Sequence, residues 1–540
     1  MNKLVNTVIA RSPEVATWQS RKSGIASPQR SSTLVSARND KLYCVLLIAM
    51  YIIFLNPYFD VKGYNAHDPG TFIHRAMSIW KGVGYGEQFA DIFLPVTGQP
   101  LGFSLLLAPL VGLVGVNFIF LKLFMLFFAG IFSIVLYQFF DYFLESKEQA
   151  VYATLIMMAS PVIFGLSHRV LADIPLFTFV VLGLLALNRY LRTSGQIFSR
   201  WLIVASFSSS AAYLLKQTGL AVFFGGWFLF LHPDFRNKEV FKKLLIYSFL
   251  GFIPITLWQI WCSTIPQDLW YWTMSGAHDY LWKNPFTPKD GYLSFSEFVV
   301  RVRHNLVWGI SNNMAMVFLA PLYFVEGNLL GFLVGLPLVF WFAWQWGKSF
   351  MKRPSVLEGF VFLSLAILVP KYLGMAARYV AIIWPALLVY GIRAITPFPN
   401  KFQGYLLNSV VIVSLCTTLA VSIEQWQNPY GSKTLADYVA VASQAKKLFS
   451  EGDVCKAPLP THWQVLTGHQ CQYDGRNLVT YFVSLSDPAP QNLDPYKDVE
   501  RDALEGAKNV GMLWKNQKSE FKKVFQNNTF ALFKVVNHGD

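Results

Sequence analysis

The sequence predicts a polytopic α-helical membrane protein of about eleven transmembrane helices, with a small C-terminal α/β domain outside the bilayer. Three observations carry this. Of the 540 residues, 54% are hydrophobic and only 14% charged, with a mean hydropathy of +0.38; a soluble domain carries roughly 25% charge, so there is too little polar surface to cover a globule. The apolar residues fall in nearly charge-free runs of roughly 15–25, enough to cross a ~30 Å hydrocarbon layer. The pattern stops near Gln425, where the composition becomes that of a soluble domain.

Residues 1–41 hold seven Lys/Arg against Glu14 and Asp40 and cannot bury a core, so they read as a disordered cytoplasmic tail. The run Leu42–Phe59 is longer than a signal-peptide core and no cleavage pattern follows it; it reads as a retained anchor. A long outer loop, 60–100, comes next. Further apolar runs lie at 117–143, 148–166, 174–190, 201–216, 218–231, 244–262, 326–346, 356–371, 379–396 and 404–423. Segments 101–115 and 306–325 fit either spans or interfacial helices. With the tail inside, the inner loops 144–147, 189–200, 232–243, 347–355 and 393–403 are all basic or neutral, as inner loops should be. Loops 60–100 and 263–305 then lie outside, and an odd span count makes 42–424 the membrane domain and puts 425–540 outside. In that outer part, Ser432 is placed to cap an amphipathic helix through Lys446 and Lys447, and Val510–Trp514 and Thr529–Val536 alternate like strands.

The net charge of +14 sits largely in the tail and in alternate short loops, which marks membrane orientation and argues against a nucleic-acid partner. Cys44, Cys262 and Cys416 accompany apolar runs and read as small buried hydrophobes. Cys455 and Cys471 fall in the outer domain, where the compartment allows them to form a disulfide. Asn527-Asn528-Thr529 also fits a glycosylation sequon there.

Ionisable groups at membrane depth are expensive, so those beside the outer helix ends need an account. The first outer loop has Asp60, Lys62, His67, Asp68 and Arg75; the next has His168, Arg169 and Asp173; Lys216, Lys371 and Arg378 follow. Cations there suit a phosphate headgroup, and a carboxylate beside them can take a proton from an acceptor. Plainer readings stand beside these. Asp68 could cap a helix starting near Thr71, Asp173 could be an N-cap ahead of Pro175, and Arg75 and Arg169 could be snorkelling anchors. His67 and His168 read as polar loop residues, and no histidine–cysteine spacing resembles a zinc site.

Two stretches carry a resemblance: D-P-G-T-F-I-H-R-A-M-S-I-W-K-G-V-G-Y from Asp68, and P-V-T-G-Q-P-L-G-F-S-L-L-L-A-P-L-V-G-L-V-G-V-N from Pro95. They resemble the first outer loop of the dolichyl-phosphate-mannose protein mannosyltransferase and aminoarabinose transferase group of the GT-C superfamily. S-H-R-V-L-A-D-I-P-L at 167–176 is a second match; L-L-K-Q-T-G-L at 214–220, A-R-Y-V-A-I-I-W-P-A at 377–386 and V-L-T-G at 465–468 are shorter ones. The resemblance implies a GT-C-like fold and an inverting transfer of a monosaccharide from a polyprenyl-phosphate donor to a lipid, glycan or protein acceptor. That reaction would take place at the outer face of the plasma membrane, with membrane lipids around the protein. Asp68 would be the catalytic base and Asp173 a second catalytic acid, with Arg75, Arg169, Lys216 and Arg378 as candidates to bind the donor. Related oligosaccharyltransferases leave open a divalent cation between Asp68 and Asp173; no metal ligand or other cofactor is assigned. Two departures stand out: Pro69 replaces a second acid, and Gly98-Gln99 replace the lysine of some aminoarabinose transferases. The rivals are a secondary transporter and a glycan-handling membrane protein without transferase activity. Against a transporter stand the odd span count, the outer domain, and charges gathered at one face instead of the bilayer midplane.

Overall fold

A computed structural model describes residues 48–51, 67–90, 92–193, 196–265, 278–283, 291–325, 329–352, 354–371, 376–427, 433–450, 453–457, 460–471, 481–485, 520–527 and 529–536. The tail, most of the first apolar run, Asp60, Lys62, Ser432 and Val510–Trp514 lie outside the described residues, as do the side chains of His67 and Asp68. Helix α1 (His67–Trp80), the hairpin β1 (Gly86–Gln88) and β2 (Phe93–Pro95), and α2 (Gly102–Val114) come first. Next are α3 (Phe118–Phe143), α4 (Lys147–Met158), α5 (Pro161–Ser167), α6 (Asp173–Arg192) and α7 (Arg200–Leu215). A 3-10 turn at Gln217–Gly219 leads to α8 (Leu220–Leu229), then α9 (Lys238–Ser263). The short α10 (His278–Leu281) and α11 (Phe295–His304) pass through a π-helical turn, Asn305–Ile310, into α12 (Ser311–Ala315). The helical part ends with α13 (Leu329–Lys352), α14 (Val356–Leu368), α15 (Ala377–Val380), α16 (Trp384–Ile395) and α17 (Asn400–Gln427).

Six helices among the described residues are long and apolar enough to span a bilayer, or seven if the bent pair α4–α5 is one span. This is a multi-pass membrane protein. The described residues of every apolar run from 117 onward are helical, 148–166 as the bent pair α4–α5, but α7, α8 and α14 have 16, 10 and 13 residues, short of the ~20 needed to cross alone. The ambiguous segment 101–115 is the 13-residue α2, and 306–325 breaks into the π turn, α12 and a 3-10 turn at Ala320–Val325. Polar caps start the helices: Asn117 accepts from Ile119 and Phe120 N–H, Ser146 from Gln149, and Asn237 from Val240. Burial sorts the long helices into two layers. The α6 window is 83% buried and the α15–α16 window 78%, whereas the windows in α3, α9, α13 and α17 are no more than 39% buried. On α9, Phe249, Ile253, Leu257 and Ile260 form an exposed apolar stripe, as a lipid-facing helix carries.

Beyond the helices come α18 (Lys433–Leu448), β3 (Cys455–Lys456), α19 (Pro460–Thr467), β4 (Tyr481–Leu485), β5 (Glu520–Gln526) and β6 (Phe530–Val536). The strands form one sheet in the order β3-β4-β6-β5, parallel between β3 and β4 and antiparallel elsewhere. Tyr438, Trp463, Cys455, Cys471, Val483 and Leu532 share its core. Asn527 shapes the β5–β6 turn: its side-chain oxygen accepts from the Thr529 and Phe530 N–H groups, and its amide donates to the Asp437 carbonyl. This places the sequon asparagine in a structural role. Among the described residues, two hydrogen bonds join the sheet region to the first loop. Ala90 N–H donates to the Cys471 carbonyl at 2.9 Å, and Gln464 Nε2 to the Gln88 carbonyl at 3.2 Å.

Candidate active site

Asp173 opens α6 without capping it, since Ala172 holds the N-cap position. Its carboxylate instead accepts from Lys216 Nζ at 2.8 Å, with the Asp173 side chain only 3% exposed. Lys216 is aimed there by a break in the chain. It is the extended C-cap of α7, before the 3-10 turn that starts α8. Gly219 makes the break fit, because a Cβ there would lie 2.4 Å from the Ala212 carbonyl oxygen. Gly102, at the start of α2, approaches the same helix end, where a Cβ would meet the Leu214 oxygen at 2.5 Å.

Around this pair the structure gathers a cationic cluster on one ring. Lys216 Nζ lies 4.5 Å from the Tyr379 centroid, Arg378 Cζ 4.7 Å and Lys371 Nζ 6.0 Å. Arg378 also donates to the Tyr379 hydroxyl at 2.7 Å. Among the described residues three cations and one carboxylate meet here, and the ring's negative face draws the cations together. Asn305 fixes the approach of Lys371, its amide donating to the Val369 and Lys371 carbonyls at 2.7 and 3.0 Å. Of the residues expected from sequence, Asp173, Lys216 and Arg378 therefore meet. Tyr379 is the residue sequence reasoning missed, although it lies in the matched stretch 377–386.

Arg75 goes elsewhere. Its guanidinium pairs with Glu87 at 2.8 Å and donates to Gln99 Oε1 at 2.6 Å. Burial alone would lower its pKa, but Glu87 and Tyr85 reverse this and raise it. Gln99, where some relatives of the resembled group carry lysine, thus serves as an acceptor for Arg75. Its neighbour Gly98 takes a bond from Gln217 Nε2 at 3.2 Å, tying this loop to the Lys216 turn. Arg169 is half-buried, and its Nε finds no hydrogen-bond partner among the described residues. His168 is a buried structural residue, bonded to the Phe164 carbonyl at 2.8 Å and set against the Tyr51 ring. Asp68 lies in the first turn of α1, which packs on α2, the helix that touches the end of α7.

Among the described residues no group of three or more His, Cys, Asp or Glu could hold a metal ion. The one described acid of the suggested divalent pair, Asp173, already holds an ammonium, which a metal would have to displace. Cys455 and Cys471 are fully buried and adjacent, paired backbone to backbone, with no bond between their sulfurs in this structure. Burial and the neighbouring Cys471 push the Cys455 thiol well above its ordinary pKa.

No protein-family model and no curated protein matches the chain. Among solved structures, ArnT from Cupriavidus metallidurans bound to undecaprenyl phosphate matches with a TM-score of 0.59 and 11% identity, covering 91% of this chain and 97% of that one. Its apo form gives 0.57, 11%, 91% and 98%. The fold is the GT-C fold. An Archaeoglobus fulgidus oligosaccharyltransferase is a more distant match, at a TM-score of 0.47 and 12% identity, covering 92% of this chain and 74% of that one. Within this fold, the stretches 167–176, 214–220 and 377–386 supply the Asp173, Lys216 and Arg378–Tyr379 corners of one cluster. Stretches scattered over more than two hundred residues thus converge on one end of the bundle.

Proposed function

We propose that this protein is a glycosyltransferase that moves a monosaccharide from a polyprenyl-phosphate donor to a lipid, glycan or protein acceptor at the outer face of the plasma membrane. The observation that carries the reading is the convergence of Lys216, Lys371 and Arg378 on Tyr379 beside buried Asp173. It occurs in a fold shared with a protein whose structure holds undecaprenyl phosphate. In the reaction, an acceptor hydroxyl or amine attacks the anomeric carbon and passes its proton to the Asp68 carboxylate. The bond from that carbon to the phosphate oxygen breaks, and its electron pair leaves with the phosphate. The donor phosphodiester carries one charge, and the departing phosphate approaches two at neutral pH. Cations at that oxygen therefore bind the transition state more tightly than the donor, which is what accelerates a reaction. Lys216, Lys371 and Arg378 take that role. Arg169 joins them, since its Nε, without a hydrogen-bond partner among the described residues, suits an anion. Displacement from the far face of the sugar makes the transfer inverting.

Transfer from defined polyprenyl-phosphate sugars to envelope acceptors, measured with purified protein, tests this reading. Asp68→Asn keeps the shape of the side chain but cannot take the proton, so turnover should fall by about 10²–10⁴-fold while donor binding persists. Arg378→Ala should weaken donor binding instead. Near-normal transfer by Asp68→Asn would remove the base assignment. Movement of substrate across vesicles without any covalent product would remove the enzyme reading.

A further inference from the structure

Helix α11 is built unlike the spanning helices. Ser294 and Glu297 close a capping box at its start, and none of its ten residues is buried. Phe295, Phe298, Val299 and Val302 recur at i, i+3, i+4 and i+7 and so make one apolar stripe, with Glu297, Arg301 and His304 across the helix. Phe295 is 83% exposed and Val299 47%. Arg301 reaches back to the carbonyls of Trp282 and Lys283 at 2.7 and 2.9 Å, and Lys283 pairs with Glu297 at 2.8 Å. The chain before α11 thus rests on the polar side and leaves Phe295 and Val299 open, with Phe298 and Val302 half-buried.

A helix of this length is marginal in water, and an open Phe–Val stripe gains nothing there. Two features say what covers it. The helix runs without a break into Asn305, whose amide holds the carbonyls at the end of the apolar helix α14, so it sits beside the spanning part of a multi-pass membrane protein. Its last turn is basic, with Arg301, Arg303 and His304, which complements anionic headgroups. We propose that α11 lies in the plane of the membrane interface, with Phe295 and Val299 at the acyl boundary and Arg303 among the lipid headgroup phosphates. The occupant of this surface is the surrounding lipid itself. Through Asn305, the helix sets the headgroup layer at the level of Lys371.

Spin labels read the placement directly. The full-length protein, with Cys44 and Cys416 replaced by serine, carries Phe295→Cys, Val299→Cys or Arg303→Cys and is reconstituted in vesicles of phosphatidylcholine with phosphatidylglycerol. Labels at 295 and 299 should show an oxygen-to-nickel accessibility ratio several-fold above the label at 303, since oxygen concentrates in lipid and the nickel complex stays in water. Equal nickel access at all three positions would place the stripe in water and overturn the proposal. Protection of 295 and 299 from both reagents would mean a protein contact and overturn it equally. Because no transfer is measured, failure here is separable from failure of the enzymatic reading.

Discussion

Lys216 plays two parts that a single substitution confounds. It neutralises Asp173, and it is proposed to meet the donor phosphate. Lys216→Ala leaves a carboxylate only 3% exposed without its partner. Breaking a buried pair this way costs about 3 kcal/mol, the low end of the range because Lys216 keeps 24% of its side chain exposed. Adding Asp173→Asn should recover most of that stability, read as thermal unfolding in detergent, without restoring donor affinity. Recovery of donor affinity by the double variant would assign Lys216 a purely structural role. The pair also shows what a sequence hides at this scale. Asp173, Lys216 and Arg378 could be named from charge at helix ends, because a charge there demands an explanation. Tyr379 carries no charge and gave no such signal. Arg75 drew attention for the same reason as Arg378, yet its partner Glu87 lies twelve residues on, across a turn that composition does not reveal. Asp173 read equally well as a cap until the carboxylate was seen turned toward α7.

Among the elements, the bend between α4 and α5 shows how a membrane helix is broken without leaving bare carbonyls. The two helices meet at 67°. The break frees carbonyls at Met158 and Ala159, which find the Tyr51 hydroxyl at 3.2 Å and the Thr418 hydroxyl of α17. Thr418→Val keeps the shape and removes the donor, so it should lower unfolding stability by about 1 kcal/mol, measured in a reversible detergent or bicelle system. No loss would mean that the bend is held by packing alone. Apolar runs were legible here because burial from both water and charge leaves a long, one-letter-type signature. Breaks were less so: Ser160-Pro161 is a turn signal inside what reads as one run, 148–166. The segment 306–325 was ambiguous for the same reason, since a π turn and two short helices have no periodicity of their own.

At the scale of the molecule, α6 separates two chemistries. Asp173 opens it. At its other end Arg189 stacks on Trp201 at 4.5 Å, Arg192 donates to the Pro354 carbonyl at 2.7 Å, and Lys243 meets Glu239 and the Thr193 carbonyl. These are the basic residues of the loops assigned to the cytoplasm, so the proposed orientation has the tail inside and residues 425–540 outside. Reporter fusions before residue 41 and after about residue 430 should report opposite compartments. In the same strain, thiol labelling of unreduced, denatured protein should leave Cys455 and Cys471 unmodified, because an oxidising compartment would join them across a loop worth about 3 kcal/mol in the chain-entropy model. An interior C-terminal reporter would withdraw the orientation and the disulfide with it, whereas modification of both thiols would withdraw the disulfide alone.

The bond from Ala90 to the Cys471 carbonyl has a consequence in time as well as space. A membrane chain is threaded into the bilayer from its N-terminus as it is made, and its parts fold largely in that order. Loop 67–95 emerges early, but the residues that hold it at Ala90 and Gln88 are made some four hundred positions later. Until residues 464–471 have been made and, in the proposed orientation, exported, α1, with Asp68 in its first turn, waits without these two bonds. At the end proposed to be reactive, the nascent protein is therefore held unfinished until the segment around Gln464 and Cys471 has been made, and that segment acts as the clasp that closes it.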